Sequence, residues 1–156
     1  MSSNAAIDFA KMDGLVPAIV QDAASKEVLM VGFFNEESYH RTLESGFVTF
    51  WSRTRQKLWM KGETSGNRLR VVKGFTDCDQ DTLLFEVVVE GDGLVCHEGT
   101  VSCFRPLSQI VSDHPHLGGA AFLNGKAASE AATNPTSLRK QSERPIAMDV
   151  VAEVRA

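Results

Sequence analysis

The densest run of ligand-type side chains in the sequence is Asp77-Cys78-Asp79-Gln80-Asp81. If this run is extended at the end of a strand over 68–76, a period of two places Asp77, Asp79 and Asp81 on one side and Cys78 on the other. Carboxylates held side by side repel one another unless a cation sits among them, and an all-oxygen ligand set suits a hard ion such as Mg²⁺. An EF-hand loop also begins D-x-D-x-D. Here, however, its sixth position is Thr82 where glycine is needed, and its twelfth is Val88 where glutamate is needed. A solvated acidic turn is an equal alternative on spacing alone.

Cys78 thus faces away from the carboxylates, and the other two thiols lie in Cys96-His97-Glu98-Gly99-Thr100-Val101-Ser102-Cys103. Three thiolates and a water would make an open zinc site of the catalytic kind. The separation of Cys96 and Cys103 is looser than the C-x₂₋₄-C of zinc ribbons, and a small buried hydrophobe is the common role of any single cysteine. His97 adjoins a candidate ligand, and imidazole is the side-chain type suited to shuttling protons near neutral pH. His40, His114 and His116 read as surface histidines.

A third group is Trp51-Ser52-Arg53-Thr54-Arg55, then Lys57, Trp59 and Lys61, then Gly62-Glu63-Thr64-Ser65-Gly66-Asn67. Forked cationic donors beside a turn rich in glycine and hydroxyls are what a phosphorylated ligand requires. The tryptophans can stack on a base or fill the core, and an RNA-binding patch would look similar locally.

Elements must position these groups. Residues 16–20 and 27–33 read as strands joined by the polar turn 21–26, a hairpin. Asn35 is a good N-cap for a helix over 36–44, with acidic residues in its first turn, Tyr39 and Leu43 on one face and Gly46 just past its end. Residues 47–53, 57–61, 68–76 and 83–90 follow as strands rich in Val, Phe, Leu and Trp. The predicted class is α+β: a mostly antiparallel sheet with few helices in a single compact domain over 1–106, then a C-terminal extension over 107–156. The extension is rich in Ala, Ser, Gly and Asn, with balanced charge and at most one short element near 146–154.

Composition excludes more than it names. The 156 residues suffice for one domain with a real core. A net charge of −4 weighs against a protein that coats nucleic acid. No apolar run approaches the ~20 residues that cross a bilayer, and residues 1–12 lack the pattern of a secretory signal. Three cysteines, an odd number, fit reduced thiols in a cytoplasmic setting better than a disulfide framework.

Taken together, Gly14-Leu15-Val16-Pro17-Ala18-Ile19, Asn35-Glu36-Glu37, Phe50-Trp51-Ser52-Arg53, Leu58 to Asn67, Asp77 to Asp81, and Cys96-His97 with Ser102-Cys103-Phe104 resemble the phosphoribosyl-AMP cyclohydrolase family. No single motif is decisive, but their order and intervals over about residues 14–106 are specific as a set. The resemblance implies a homodimer with one Zn²⁺ per subunit at the interface, Cys78 coming from one protomer and Cys96 and Cys103 from the other. It also implies Mg²⁺ on Asp77, Asp79 and Asp81. The implied reaction, a step of histidine biosynthesis, is hydrolysis of the N1–C6 bond in the purine ring of phosphoribosyl-AMP. Ribose phosphate on N1 breaks the aromatic pattern and leaves C6 an amidine-like electrophile. His97 is then the catalytic acid or base. Trp51, Ser52, Arg53, Arg55, Lys61, Thr64, Ser65 and Asn67 become the substrate-binding set, with no nucleic-acid or membrane partner.

Family members end soon after the Ser-Cys-Phe motif or continue into a phosphoribosyl-ATP pyrophosphatase domain. Residues 107–156 are short for that helical domain and lack an acidic helical metal motif, so a second activity is not expected. Two rivals stand beside this reading. One is a zinc hydrolase or deaminase of another purine nucleotide, although the H-x-E and P-C-x-x-C deaminase signature is absent. The other is a non-catalytic, zinc-stabilised module that binds nucleotide or RNA.

Overall fold

The apolar alternation in the sequence becomes two sheets in a computed structural model that describes residues 6–107. Strand β1 is Val16–Asp22, β2 Val28–Phe34, β3 Thr49–Ser52, β4 Lys57–Met60, β5 Leu69–Thr76 and β6 Leu83–Val89. One sheet has the order β2-β1-β6-β5, and β3 and β4 form a separate hairpin. The β1–β2, β3–β4 and β5–β6 pairs are antiparallel; β1 and β6 run parallel, a pairing the local pattern did not indicate. The expected strands and helix are all present, with ends displaced by a residue or two. Phe47, expected inside β3, makes only an isolated bridge to Arg70.

Alternate residues of β1 (Val16, Ala18, Val20) and β6 (Leu83, Phe85, Val87) are buried on one face of the larger sheet. On that face Phe34 packs against Phe50 and Phe85, with ring centroids 5.3 and 5.5 Å away. Such tilted aromatic pairs add to the stabilisation that buried area already provides. Phe50 brings the β3–β4 hairpin onto the sheet, and Gly32 makes room for it. A Cβ at Gly32 would lie 2.3 Å from the Phe50 ring.

The single α-helix among the described residues, α1 (Glu36–Ser45), starts at a reciprocal cap. Asn35 Oδ1 accepts the Ser38 N–H at 2.8 Å, and Ser38 Oγ accepts the Asn35 N–H at 3.0 Å. Gly46, left-handed at φ 75°, closes the other end by donating to the Thr42 carbonyl. The deeply buried positions of the helix are Ser38 and Thr42, with Tyr39 only partly buried against the core. Thr42 Oγ1 accepts from Thr49 N at 2.9 Å and lies 2.9 Å from the Ser38 carbonyl and 3.2 Å from that of Thr49. A hydroxyl therefore fastens the helix to the first residue of β3.

Before β1, a short 3₁₀ turn, Ala10–Met12, follows Ile7 and Phe9, which pack on the core. Of the described residues, 6–103 belong to one compact unit. Residues 108–156, with His114, His116 and the element expected near 146–154, lie outside the described residues.

Candidate functional site

Cys96 and Cys103 are brought together by a loop that β2 holds in place. Cys103 N donates to the Leu29 carbonyl at 2.8 Å, and the buried Ser102 hydroxyl donates to the Val28 carbonyl at 2.8 Å. Val95 is almost fully buried just before Cys96, so the loop is anchored at both ends. Between the anchors, Cys96 N bonds the Thr100 carbonyl and Gly99 N bonds the Cys96 carbonyl, both at 3.0 Å, which presents His97 at the exposed tip.

The two thiols are close enough to perturb each other and are shifted in opposite directions. The Glu98 backbone N–H, aided by Thr100 and the Cys103 thiol, stabilises a Cys96 thiolate and lowers its pKa. Partial withdrawal from water, then the neighbouring Cys96 sulfur, raises that of Cys103, while the Lys61 ammonium pulls it back down. Cys96 thus loses its proton more readily than Cys103, and the thiolate is the form that binds a metal.

Lys61 joins this loop to the basic hairpin. Its ammonium also lies 5.6 Å from the centre of the Trp59 ring, and Arg53 stacks 3.8 Å over Phe33. Ser52 ends β3, and its Oγ accepts the Arg55 N–H at 3.3 Å across the turn 53–56. Trp51 is half-buried, and Arg53, Arg55, Thr64 and Ser65 are exposed.

Asn67 is different, being buried at 7% exposure. Its Nδ2 donates to the Leu94 carbonyl at 2.9 Å, and its Oδ1 accepts the Asp92 N–H at 3.1 Å. It ties the turn after β4 to the stretch that leads into Cys96. Both polar ends of its amide are therefore engaged within the protein.

The acidic run corrects one expectation while keeping its consequence. Residues 77–82 are a tight connection between β5 and β6, with Gln80 at φ 65°, and are not extended. Asp77 Oδ1 accepts the N–H groups of Asp81 and Thr82, each at 3.1 Å, and this folds the turn back on itself. The period-two premise fails. The carboxylates converge all the same: one ligand oxygen from each of Asp77, Asp79 and Asp81 lies within 4.8 Å of the others. Among the described residues this is the only group of three or more metal-type ligands within such reach. Cys78 is exposed in the same turn and is not grouped with Cys96 and Cys103.

A residue that the motifs did not single out completes the acidic group. The Lys11 ammonium contacts Asp79 Oδ2 and lies 2.7 Å from Asp81 Oδ2. It holds the Asp79 carboxyl below the usual carboxylate range, and its own pKa rises in turn. Nothing in the spacing around Lys11 signals this contact, because 68 positions separate it from Asp79.

Set against known proteins, residues 30–105 match the family model for phosphoribosyl-AMP cyclohydrolase. The chain is 53% identical over 124 residues to the phosphoribosyl-AMP cyclohydrolase of Solibacter usitatus, covering 98% of that protein and 77% of this chain. It belongs to the phosphoribosyl-AMP cyclohydrolase family. Other members of similar sequence are bifunctional. The histidine biosynthesis bifunctional protein HisIE of Escherichia coli (strain K12) is 59% identical over 98 residues, 63% of this chain and 47% of that one. The corresponding protein of Photobacterium profundum is 42% identical over 158 residues, 98% of this chain and 75% of that protein. The chain therefore spans about half the length of the first of these and three quarters of the second. No helix among the described residues is long and apolar enough to cross a membrane.

Proposed function

We propose that this chain is a cytoplasmic enzyme of histidine biosynthesis that hydrolyses the N1–C6 bond of phosphoribosyl-AMP. The observation that carries the reading is the neighbouring Cys96–Cys103 pair in a loop tethered to β2, in a chain that covers nearly all of a phosphoribosyl-AMP cyclohydrolase at 53% identity.

The donor set fits zinc in part. A single copy presents two neighbouring thiols, one with a depressed pKa, and a third thiol, Cys78, elsewhere. Two thiols alone leave a zinc site short of protein ligands. A homodimer in which a second copy supplies Cys78 would complete a three-thiolate set, one Zn²⁺ per subunit. Zinc held by these thiolates would supply Lewis acidity, making the attacking water give up a proton more readily. Thiolates donate more charge than imidazoles, so proton transfer here needs a protein base. His97, exposed and next to Cys96 in the chain, is the candidate to take that proton or to give one to the departing N1.

Asp77, Asp79 and Asp81 converge as an all-oxygen set that fits a hard divalent cation, Mg²⁺, and an ammonium already contacts two of them. Arg53, Arg55 and Lys61, with the Thr64 and Ser65 hydroxyls, supply donors for the phosphates, and Trp51 and Ser52 flank them at the end of β3. Asn67, expected among the substrate-binding residues, also fixes the relative position of the two loops.

The test is ring opening followed by ultraviolet difference absorbance on the purified chain with phosphoribosyl-AMP and Mg²⁺, before and after zinc removal. Turnover that is lost on chelation and restored by Zn²⁺ is expected. No turnover by fully metallated protein would overturn the assignment.

A further inference from the structure

The acidic turn holds a cation supplied by the chain itself. Lys11 reaches Asp79 and Asp81 from a segment fastened at several points. Asp8 N donates to the Gln80 carbonyl at 2.8 Å, inside the acidic turn. Asp8 Oδ1 accepts the Lys11 N–H at 3.1 Å, Gly14 N bonds the Phe9 carbonyl at 2.7 Å, and Phe9 packs against Tyr39 with ring centroids 5.9 Å apart. The ammonium is therefore presented to the carboxylates from a fixed base.

We infer that Lys11 is a resident counter-cation of the Asp77–Asp79–Asp81 group, so that a divalent ion enters by exchange, displacing the ammonium and loosening the segment that carries it. This rests on the reading of the three carboxylates as a divalent-cation site. Divalent binding needs the Asp79 and Asp81 oxygens that Lys11 now contacts. Two cations at contact distance from the same oxygens repel one another, so occupancy by one opposes the other. In the absence of the metal, the ammonium offsets the mutual repulsion of the carboxylates and preserves their convergence. The segment then reports occupancy: Ile7 and Phe9 keep it on the core, while the stretch around Ala10–Met12 loses the anchor made by the Lys11 side chain and keeps only the backbone ones.

The expected magnitude follows from the exposure of the contacts. An exposed ammonium–carboxylate contact shifts an equilibrium by a few-fold at most, so removing two should tighten divalent binding by about tenfold. The test is titration of the full chain with Mn²⁺ as the probe, reading free Mn²⁺ by its electron paramagnetic resonance signal at fixed ionic strength. Lys11→Gln should bind about tenfold more tightly than the parent, and Lys11→Arg should remain close to it. Equal or weaker binding by Lys11→Gln, with parent binding that Asp79→Asn abolishes, would overturn the role of Lys11 alone. No Mn²⁺ binding by either parent or Lys11→Gln would overturn the divalent site as well. In the unsubstituted protein, Mg²⁺ should also speed amide hydrogen exchange over residues 9–14. Unchanged or slower exchange there would contradict displacement, whatever the behaviour of the variants.

Discussion

Thr42→Val removes one oxygen and keeps the shape, which isolates the contact that fastens α1 to β3. Thr42 is fully buried and Thr49 is 3% exposed, so water cannot replace what is lost. The hydroxyl accepts from Thr49 N at 2.9 Å and donates to a carbonyl of Ser38 or Thr49. Losing two such bonds costs about 1 kcal/mol each, and stranding a buried N–H costs about 1–3 kcal/mol. The valine methyl returns about 0.8 kcal/mol of burial. A net loss of about 2–4 kcal/mol is expected, which for a domain of about 100 residues lowers Tm by at least about 8 °C. Thr42→Ser keeps the hydroxyl and loses one methyl, so its cost should be about 1 kcal/mol. Urea denaturation of the three proteins decides. A valine variant within about 0.5 kcal/mol of the parent, or a serine variant that is the less stable of the two, would show that packing and not the hydroxyl holds the helix.

Gly62 and Gly66 both have positive φ, at 82° and 84°, but a Cβ at Gly62 would lie 2.2 Å from the Asn67 backbone whereas one at Gly66 meets nothing within 4 Å. Gly66→Ala should cost only the left-handed strain, roughly 1 kcal/mol; Gly62→Ala should cost at least about twice that, and equal denaturation midpoints would refute the distinction. Asp22 accepts from Ala24 N, Ser25 N and Ser25 Oγ, and the Ser25 backbone N–H is the chief cause of its depressed pKa. Its charge therefore stabilises the fold above the ordinary carboxylate range and ceases to do so as the pH falls through the lowered value. The stability gap between parent and Asp22→Asn should accordingly be full at neutral pH and close below about pH 4; a gap independent of pH would contradict this. His97→Asn should lower turnover of phosphoribosyl-AMP while metal analysis shows unchanged zinc, and full activity would remove His97 from the mechanism.

Local structure was legible where local rules govern it. The Asn35 cap, the helix behind it and the Gly46 stop follow from side-chain chemistry within a few residues, and the strands follow from period-two burial. Alternation says that a segment is a strand without saying which strand lies beside it, so the parallel β1–β6 pairing was not apparent. The helix was read by its apolar pair Tyr39 and Leu43, yet its deepest contact is made by Thr42, because a buried backbone group on β3 needed a partner. The extended reading of residues 77–81 failed because an aspartate can cap its own turn: Asp77 accepts two backbone N–H groups and reverses the chain. The carboxylates were correctly grouped for another reason, since a tight turn also gathers alternate residues. Lys11 could not be found from spacing, because nothing near it in sequence encodes a contact with Asp79.

The division of the thiols, two together and one apart, makes the shared site directly testable. Cys78→Ser and Cys96→Ser chains, each inactive alone and without tightly held zinc, would be co-expressed and assayed for ring opening of phosphoribosyl-AMP. In a two-fold dimer, each mixed pair regains one intact site, so random pairing should restore about a quarter of the parent activity, with zinc in proportion. Co-expressed chains that remain inactive while the parent turns over and the mixed dimer forms would contradict a site built from Cys78 of one copy and Cys96 and Cys103 of the other.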